Sequence, residues 1–166
     1  MKKTKTQYLV KFSLALLLIL YTGCSVTSSV TKNYEVECVA SGNDGTQLLK
    51  VWTYVKNEND ASKQAKINGI HAVIFKGVND GAYGCMQNGL VSKHDAENKH
   101  EKYFNTFFKE NGKYLSFVSL SGVANPDDRI KIGRQYKIGI VVSVRHSALR
   151  KQLEADGVID KLWMED

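Results

Sequence analysis

The sequence predicts an α+β domain with a mostly antiparallel sheet and helices packed on one face, in the order β-β-α-α-β-β-α. Three observations carry that prediction. Apolar alternation marks Tyr34–Ala40 and Tyr136–Arg145 as half-buried strands. The run Gly42-Asn43-Asp44-Gly45 supplies a hairpin turn directly after the first of them, since Asn, Asp and Gly tolerate positive φ. Between the strand regions lie two stretches with helical spacing, the second carrying Tyr103, Phe104, Phe107 and Phe108 as one aromatic face. The chain of 166 residues has room for one domain and a leader, not for two ordinary domains. With 43% hydrophobic and 24% charged residues and a single proline, it is neither collagen-like nor low-complexity nor disordered. Three cysteines are too few for a disulfide-framework miniprotein.

Taken in order, the first strand places Tyr34, Val36, Cys38 and Ala40 on one face and Glu35 and Glu37 on the other. Thr46–Val55, rich in β-branched and aromatic residues, is its return strand. Asn59 or Asp60 is placed to cap the helix that follows, because a short side-chain oxygen accepts from the free N–H groups of a first turn. Ala61, Ala65, Gly69, Ala72 and Val73 form a small-residue stripe that lets this helix lie close on a sheet, and Ile67, Ile70 and Ile74 add bulk. Gly77 ends it, and the stretch Asn79–Gly89, punctuated by Gly81, Gly84 and Gly89, reads as a loop. The second helix runs from Asp95 to Asn111 with Gly112 as its stop. Tyr114–Ala124 and Tyr136–Arg145 follow as strands, separated by Asn125-Pro126-Asp127-Asp128. Ser147 is placed to cap a last helix, Ala148–Asp156, which Gly157 ends. The tail is apolar enough to dock at Val158, Ile159, Leu162 and Trp163. Residues 34–166 therefore read as a single α+β domain.

Ahead of that domain the chain begins MKKTKTQYLVKFSLALLLILYTGC. The apolar run Phe12–Tyr21 has the length of a signal-peptide core and is short for a membrane-spanning helix. It stops at Thr22-Gly23-Cys24, a pattern that resembles the lipobox of bacterial lipoprotein signal peptides. Leu20 and Gly23 fit that pattern, while Tyr21 stands where leucine is usual. The resemblance implies that residues 1–23 are a cleaved lipoprotein signal peptide and that Cys24 carries the lipid, palmitate included. An ordinary secretory signal or an uncleaved anchor is the competing reading. Residues 24–33 are rich in Ser and Thr and lack helical periodicity, which reads as a flexible tether. A buried acyl chain contributes about 0.8 kcal/mol per methylene, so multiple acylation attaches a domain stably without a transmembrane helix. Ser25 occupies the position at which sorting rules for such lipoproteins read aspartate as an inner-membrane signal. The resemblance thus implies the outer membrane, and the lack of an acidic run after Cys24 favours a periplasm-facing attachment.

The formal charge of +6 is largely a property of the leader. Residues 1–23 hold Lys2, Lys3, Lys5 and Lys11 and no acid, so the remaining chain has 19 basic against 17 acidic residues, or +2. That is too little for nucleic-acid binding, which needs a basic footprint. Lysines from Lys93 to Lys113 are interleaved with Glu97, Glu101 and Glu110, as on a solvated helix face. Arg129, Lys131, Arg134 and Lys137 form a denser basic stretch suited to an anionic headgroup or polymer. No metal or other cofactor is expected: His94 with Glu97 or Glu101 is a weak ligand pair, and no CxxC or HExxH spacing occurs. No catalytic set is legible either, since GxSxG is absent and nothing pairs Cys85 with His71, His94 or His146. The glycine-rich loop follows a helix and lacks GxxxxGK[ST], so its amides do not form a phosphate cradle. In an oxidising compartment Cys38 and Cys85 are either a disulfide or two separate buried thiols. Trp52 and Tyr54 share a strand face with Leu48 and Lys50, on the side away from the helices if Leu49, Val51 and Val55 face them. They are either a recognition surface or a cover for a core or loop.

Several segments together carry a wider resemblance: the lipobox-like cysteine, Val36-Glu37-Cys38, Asp44-Gly45-Thr46-Gln47, Val51-Trp52, Ala61-x-x-Gln64-Ala65-Lys66 and Val73-Ile74-Phe75-Lys76-Gly77. Their order resembles small envelope lipoproteins of Gram-negative bacteria. Over residues 34–80 the hairpin and alanine-striped helix are more distantly similar to the flagellar outer-membrane lipoprotein P and the N-terminal domain of flagellar protein T. That resemblance implies an assembly or scaffold role without catalytic residues, and no flagellar function follows from it. The expected function is a membrane-tethered, non-enzymatic domain that binds or scaffolds another envelope protein or polymer. Trp52, Tyr54, Arg129, Lys131, Arg134 and Lys137 are its candidate contact residues. The alternative expectation is a periplasmic enzyme or small-ligand binder using the Gly77–Gly89 loop.

Overall fold

The computed structural model describes residues 33–85, 87–91, 96–122 and 125–161. The signal peptide, Cys24, the tether as far as residue 32, His94, the expected helix start at Asp95 and the tail from residue 162 lie outside the described residues. The fold is α+β, built on an antiparallel sheet. Strands β1 (Tyr34–Ser41) and β2 (Thr46–Val55) form a hairpin with a bulge between Cys38 and Ala40. In its turn the Asp44 carboxylate accepts from the Thr46 N–H and hydroxyl, each at 2.9 Å, and these bonds hold its pKa below the usual range. β2 then pairs along its whole length with β5 (Gln135–Arg145), from Thr46 opposite Arg145 to Val55 opposite Tyr136. The far edge of β5 is held by two short strands in tandem, β4 (Arg129–Ile132) and β3 (Val118–Leu120).

Alternation decides which face is buried. Leu49, Val51 and Val55 of β2 and Ile138, Ile140, Val142 and Val144 of β5 point into the core. Helix α1 (Ala61–His71) lies against them and runs on through a wider π turn, Ala72–Lys76, to Gly77. Its small residues allow the close approach: a Cβ on Gly69 would stand 2.9 Å from Val142 Cγ2. Gly69→Leu is therefore expected to overpack this contact and cost about 1–3 kcal/mol, read as a lower unfolding midpoint. The helix entry differs from the expectation. Asn57, rather than Asn59 or Asp60, supplies the capping oxygen, accepting from the Asn59 N–H at 3.1 Å, and a 3-10 turn (Glu58–Asp60) precedes α1.

Ile67, Asn68, Gly69 and Ile70 are buried in succession, so more than the sheet-facing side of α1 is enclosed, and the aromatic segment meets its C-terminal end at His71 and Phe75. That segment is not one helix over 95–111. It divides at His100 into α2 (Ala96–Lys99) and α3 (Glu101–Phe107), His100 having left helical geometry at φ −111° and ψ 27°. Its rings pack as a cluster, with Phe75 and Phe104 centroids 4.7 Å apart and Phe107 and Phe108 5.2 Å apart. The segment Tyr114–Phe117, expected as strand, is part of a 3-10 turn. Tyr114 and Phe117 are both buried, and a three-residue spacing puts them on one side of such a turn but on opposite faces of a strand. β4 was not expected at all. It is the first arm of a hairpin closed by Gly133-Arg134, with Gly133 at φ +60° where a two-residue turn calls for glycine.

Helix α4 (His146–Ala155) begins where β5 ends and buries Leu149 and Leu153. It starts two residues earlier than expected, and no side chain caps it. The Ser147 N–H instead donates to the Gly45 carbonyl at 3.3 Å, tying the helix start to the β1–β2 turn. Burial, and then the Arg150 charge, hold the His146 pKa below its ordinary value. A depressed histidine pKa means the unfolded chain binds more protons than the native one, so stability should fall as pH drops through about 6.5. Comparing melts at acid and neutral pH in wild type and His146→Gln checks this; the variant should show the smaller acid loss.

Candidate functional site: the uncovered sheet face and its two edges

The side chains that alternate with the core residues lie on a sheet face that no helix among the described residues covers. Trp52 sits opposite Gly139, and a Cβ there would come within 3.1 Å of the indole, so the ring lies close over the glycine backbone. Its Nε1–H donates to Glu37 Oε1 at 2.7 Å. The Lys50 and Lys137 ammonium groups stand 4.7 and 5.1 Å from its ring centroid, within cation–π range. Lys137 Nζ also donates to both oxygens of Glu35, at 2.9 and 2.8 Å, and the Tyr54 hydroxyl donates to Glu35 at 2.9 Å. The Lys137 bond, then the Tyr54 bond, lower the Glu35 pKa, while the Glu35 bond raises that of Lys137. Lys50 closes the other end on Asp128 at 2.6 Å. Trp52 and Tyr54 are half-buried members of a polar and aromatic belt, not bare rings. Such a surface offers ring edges, carboxylates and amines together.

The structure brings Lys137 into that belt and sends the rest of the basic stretch elsewhere. Arg129 pairs with Glu58 across the edge of α1 and lies 5.4 Å from the Tyr136 ring. Lys131 is opposite Tyr136, on the helix side of the sheet, and Arg134 is in the turn. Neither Lys131 nor Arg134 makes an ion pair among the described residues. Ile130 and Ile132, which flank Lys131 and were not among the expected contact residues, are 47% and 48% exposed. The signal was present as alternation, Arg-Ile-Lys-Ile, before the Gly133 turn.

The opposite edge of the sheet, at β1, is strapped by the glycine-rich loop. Cys38 N–H donates to the Asp80 carbonyl at 2.7 Å, and the Ala82 N–H donates to the Cys38 carbonyl at 2.8 Å. Gly81, at φ +93°, sits against Cys38 with no space for a side chain. Val78 and Gln87 exchange two backbone bonds at 2.8 Å, and Val91 N–H donates to the Ile74 carbonyl at the helix end. The structure joins Cys38 to Cys85 as a disulfide, with Cα atoms 5.7 Å apart. The loop's glycines thus serve backbone contact, covering an otherwise open strand edge.

The Tyr34 hydroxyl is 2.7 Å from His71 Nδ1, and His71 Nε2 is 3.8 Å from Glu97, beside Phe75. Burial, then Glu97, pushes the Tyr34 pKa up, so the phenol stays protonated. Open grooves of about 560 and 400 Å³ flank Tyr103–Asp156 and Glu58–Arg129; neither includes Cys85 or a histidine. Among the described residues no three His, Cys, Asp or Glu side chains gather to hold a metal ion. No helix among them is long and apolar enough to cross a membrane. The chain matches no protein-family model, and no curated protein or solved structure matches it. The fold and this surface define a class: a sheet-and-helix domain with one edge strapped shut and one face that no helix among the described residues covers.

Proposed function

We propose that this protein is a lipid-tethered, non-enzymatic module of the bacterial cell envelope that binds or scaffolds another envelope component. In this reading residues 1–23 are removed, Cys24 carries acyl chains in the outer membrane, and residues 24–33 let the domain face the periplasm. The observation that carries the binding role is the uncovered sheet face beside the β4 arm. Ile130 and Ile132 stay half-exposed there, and Lys131 and Arg134 carry charges that no acid offsets among the described residues. Apolar side chains left in solvent next to uncompensated charge are what a docking surface requires. The alternative is a periplasmic enzyme or small-ligand binder on the Gly77–Gly89 loop; Cys85 would not serve it as a thiol, because it is buried and bonded to Cys38.

Site-specific photo-cross-linking in cells tests this. A photoreactive residue at Ile132 should capture a discrete envelope component, and one at Lys151, on the exposed side of α4, should not. Equal background from both positions would remove the basis for a binding role.

A further inference from the structure

We infer that β4 is a docking edge for an extended protein segment whose side chains alternate acidic and apolar, added to the sheet as a further strand. This rests on the envelope-binding reading and names its mode. Ile132 and Gln135 close the two-residue turn, so they and the Ile130–Lys137 pair exchange the ladder hydrogen bonds. The N–H and C=O groups of Arg129 and Lys131 then point away from β5, toward an edge that no other strand among the described residues pairs. All four residues of β4 are exposed. A strand laid beside them gains main-chain bonds at Arg129 and Lys131, meets two cations on one face, and meets Ile130 and Ile132 on the other. Charge complementarity fixes the partner's chemistry. Lys131 and nearby Arg134 make no ion pair among the described residues, so a partner with carboxylates on that face would supply the missing charges. A second copy of this chain does not fit. Only Arg129 and Lys131 bond outward, so antiparallel self-pairing must set the cations of one copy opposite those of the other, which is repulsive. The strand is short, which limits non-specific pairing and leaves side-chain matching to select the occupant.

The test uses the full-length protein in detergent micelles and a fluorescent peptide of alternating glutamate and valine. Block-ordered glutamate–valine peptide and phosphatidylglycerol vesicles serve as comparison probes. The alternating peptide should bind and the block peptide should not, because only alternation matches the two faces. Lys131→Ala should weaken binding about threefold through the lost charge. Lys131→Pro should weaken it about tenfold or more, since it also removes an outward N–H, while the melting curve stays as in Lys131→Ala. Equal affinity for both peptides, or equal effects of the two variants, would overturn strand addition. Lys131-dependent binding to the vesicles without peptide binding would overturn it in favour of an anionic lipid surface. An Ile132 cross-link to an envelope protein without peptide binding would sink this mode and leave the broader reading standing.

Discussion

Replacing Cys38 and Cys85 together by alanine is expected to lower stability by about 4 kcal/mol, the largest single loss foreseen for this domain. The figure follows from loop closure. The two cysteines are 47 residues apart, and an unfolded chain released from that cross-link regains the corresponding entropy. For a domain of this size the unfolding midpoint should drop by roughly 10–15 °C. The same protein melted with and without reductant should reproduce the difference, because unfolding exposes the sulfurs that the native fold buries. A midpoint indifferent to both treatments, or two alkylatable thiols in the native protein, would contradict the cross-link. Its placement gives it more than an entropic effect. It joins Cys38, the β1 residue that exchanges backbone bonds with Asp80 and Ala82, to Cys85 further along the strap.

Gly81→Ala should approach that effect by a different route. A Cβ at residue 81 would lie 2.2 Å from the Cys38 carbonyl oxygen and 2.6 Å from its nitrogen, and φ is +93°. Both neighbours are backbone, so no side-chain rotation relieves the clash. The strap must lift from β1, giving up the bonds from Cys38 to Asp80 and from Ala82 to Cys38. A loss of about 2–4 kcal/mol is expected from strain and broken bonds together. Because cysteine removal and Gly81→Ala loosen the same contact, the combined variant should lose less than the two losses added. Hydrogen exchange at the Cys38 amide reads the event locally: it should accelerate in Gly81→Ala, whereas core amides of β5 change only with global stability.

Much of this architecture was legible in the chain. Tyr34–Val55 alternates cleanly around an Asn-Asp-Gly turn, so hairpin and buried face both followed from period alone. The Ala–Gly stripe of α1 likewise announced a close helix–sheet contact, which Gly69 makes. The failures cluster where local pattern was ambiguous. Tyr114–Phe117 is apolar enough for a strand, yet Tyr114 packs on Phe108 and Phe117 on Phe107, and a tight turn delivers both rings to that cluster. The aromatic helix breaks at His100, where nothing in the local sequence forces a stop. β4 was hidden because its isoleucines remain in solvent, and a reading that seeks buried faces passes over exposed ones. At the candidate surface, Trp52 and Tyr54 lie on the open side as alternation predicts. Their bonds to Glu37 and Glu35, and the lysines beside them, depend on cross-strand register, which no one-dimensional pattern contains.

The most direct test of the proposed tethering is intact-mass analysis of the protein extracted from native membranes. The account predicts a polypeptide beginning at Cys24, heavier than residues 24–166 by the mass of several acyl chains, and recovered with the outer-membrane fraction. A chain of unmodified mass released into the aqueous periplasmic fraction would contradict the anchor and the envelope role built on it.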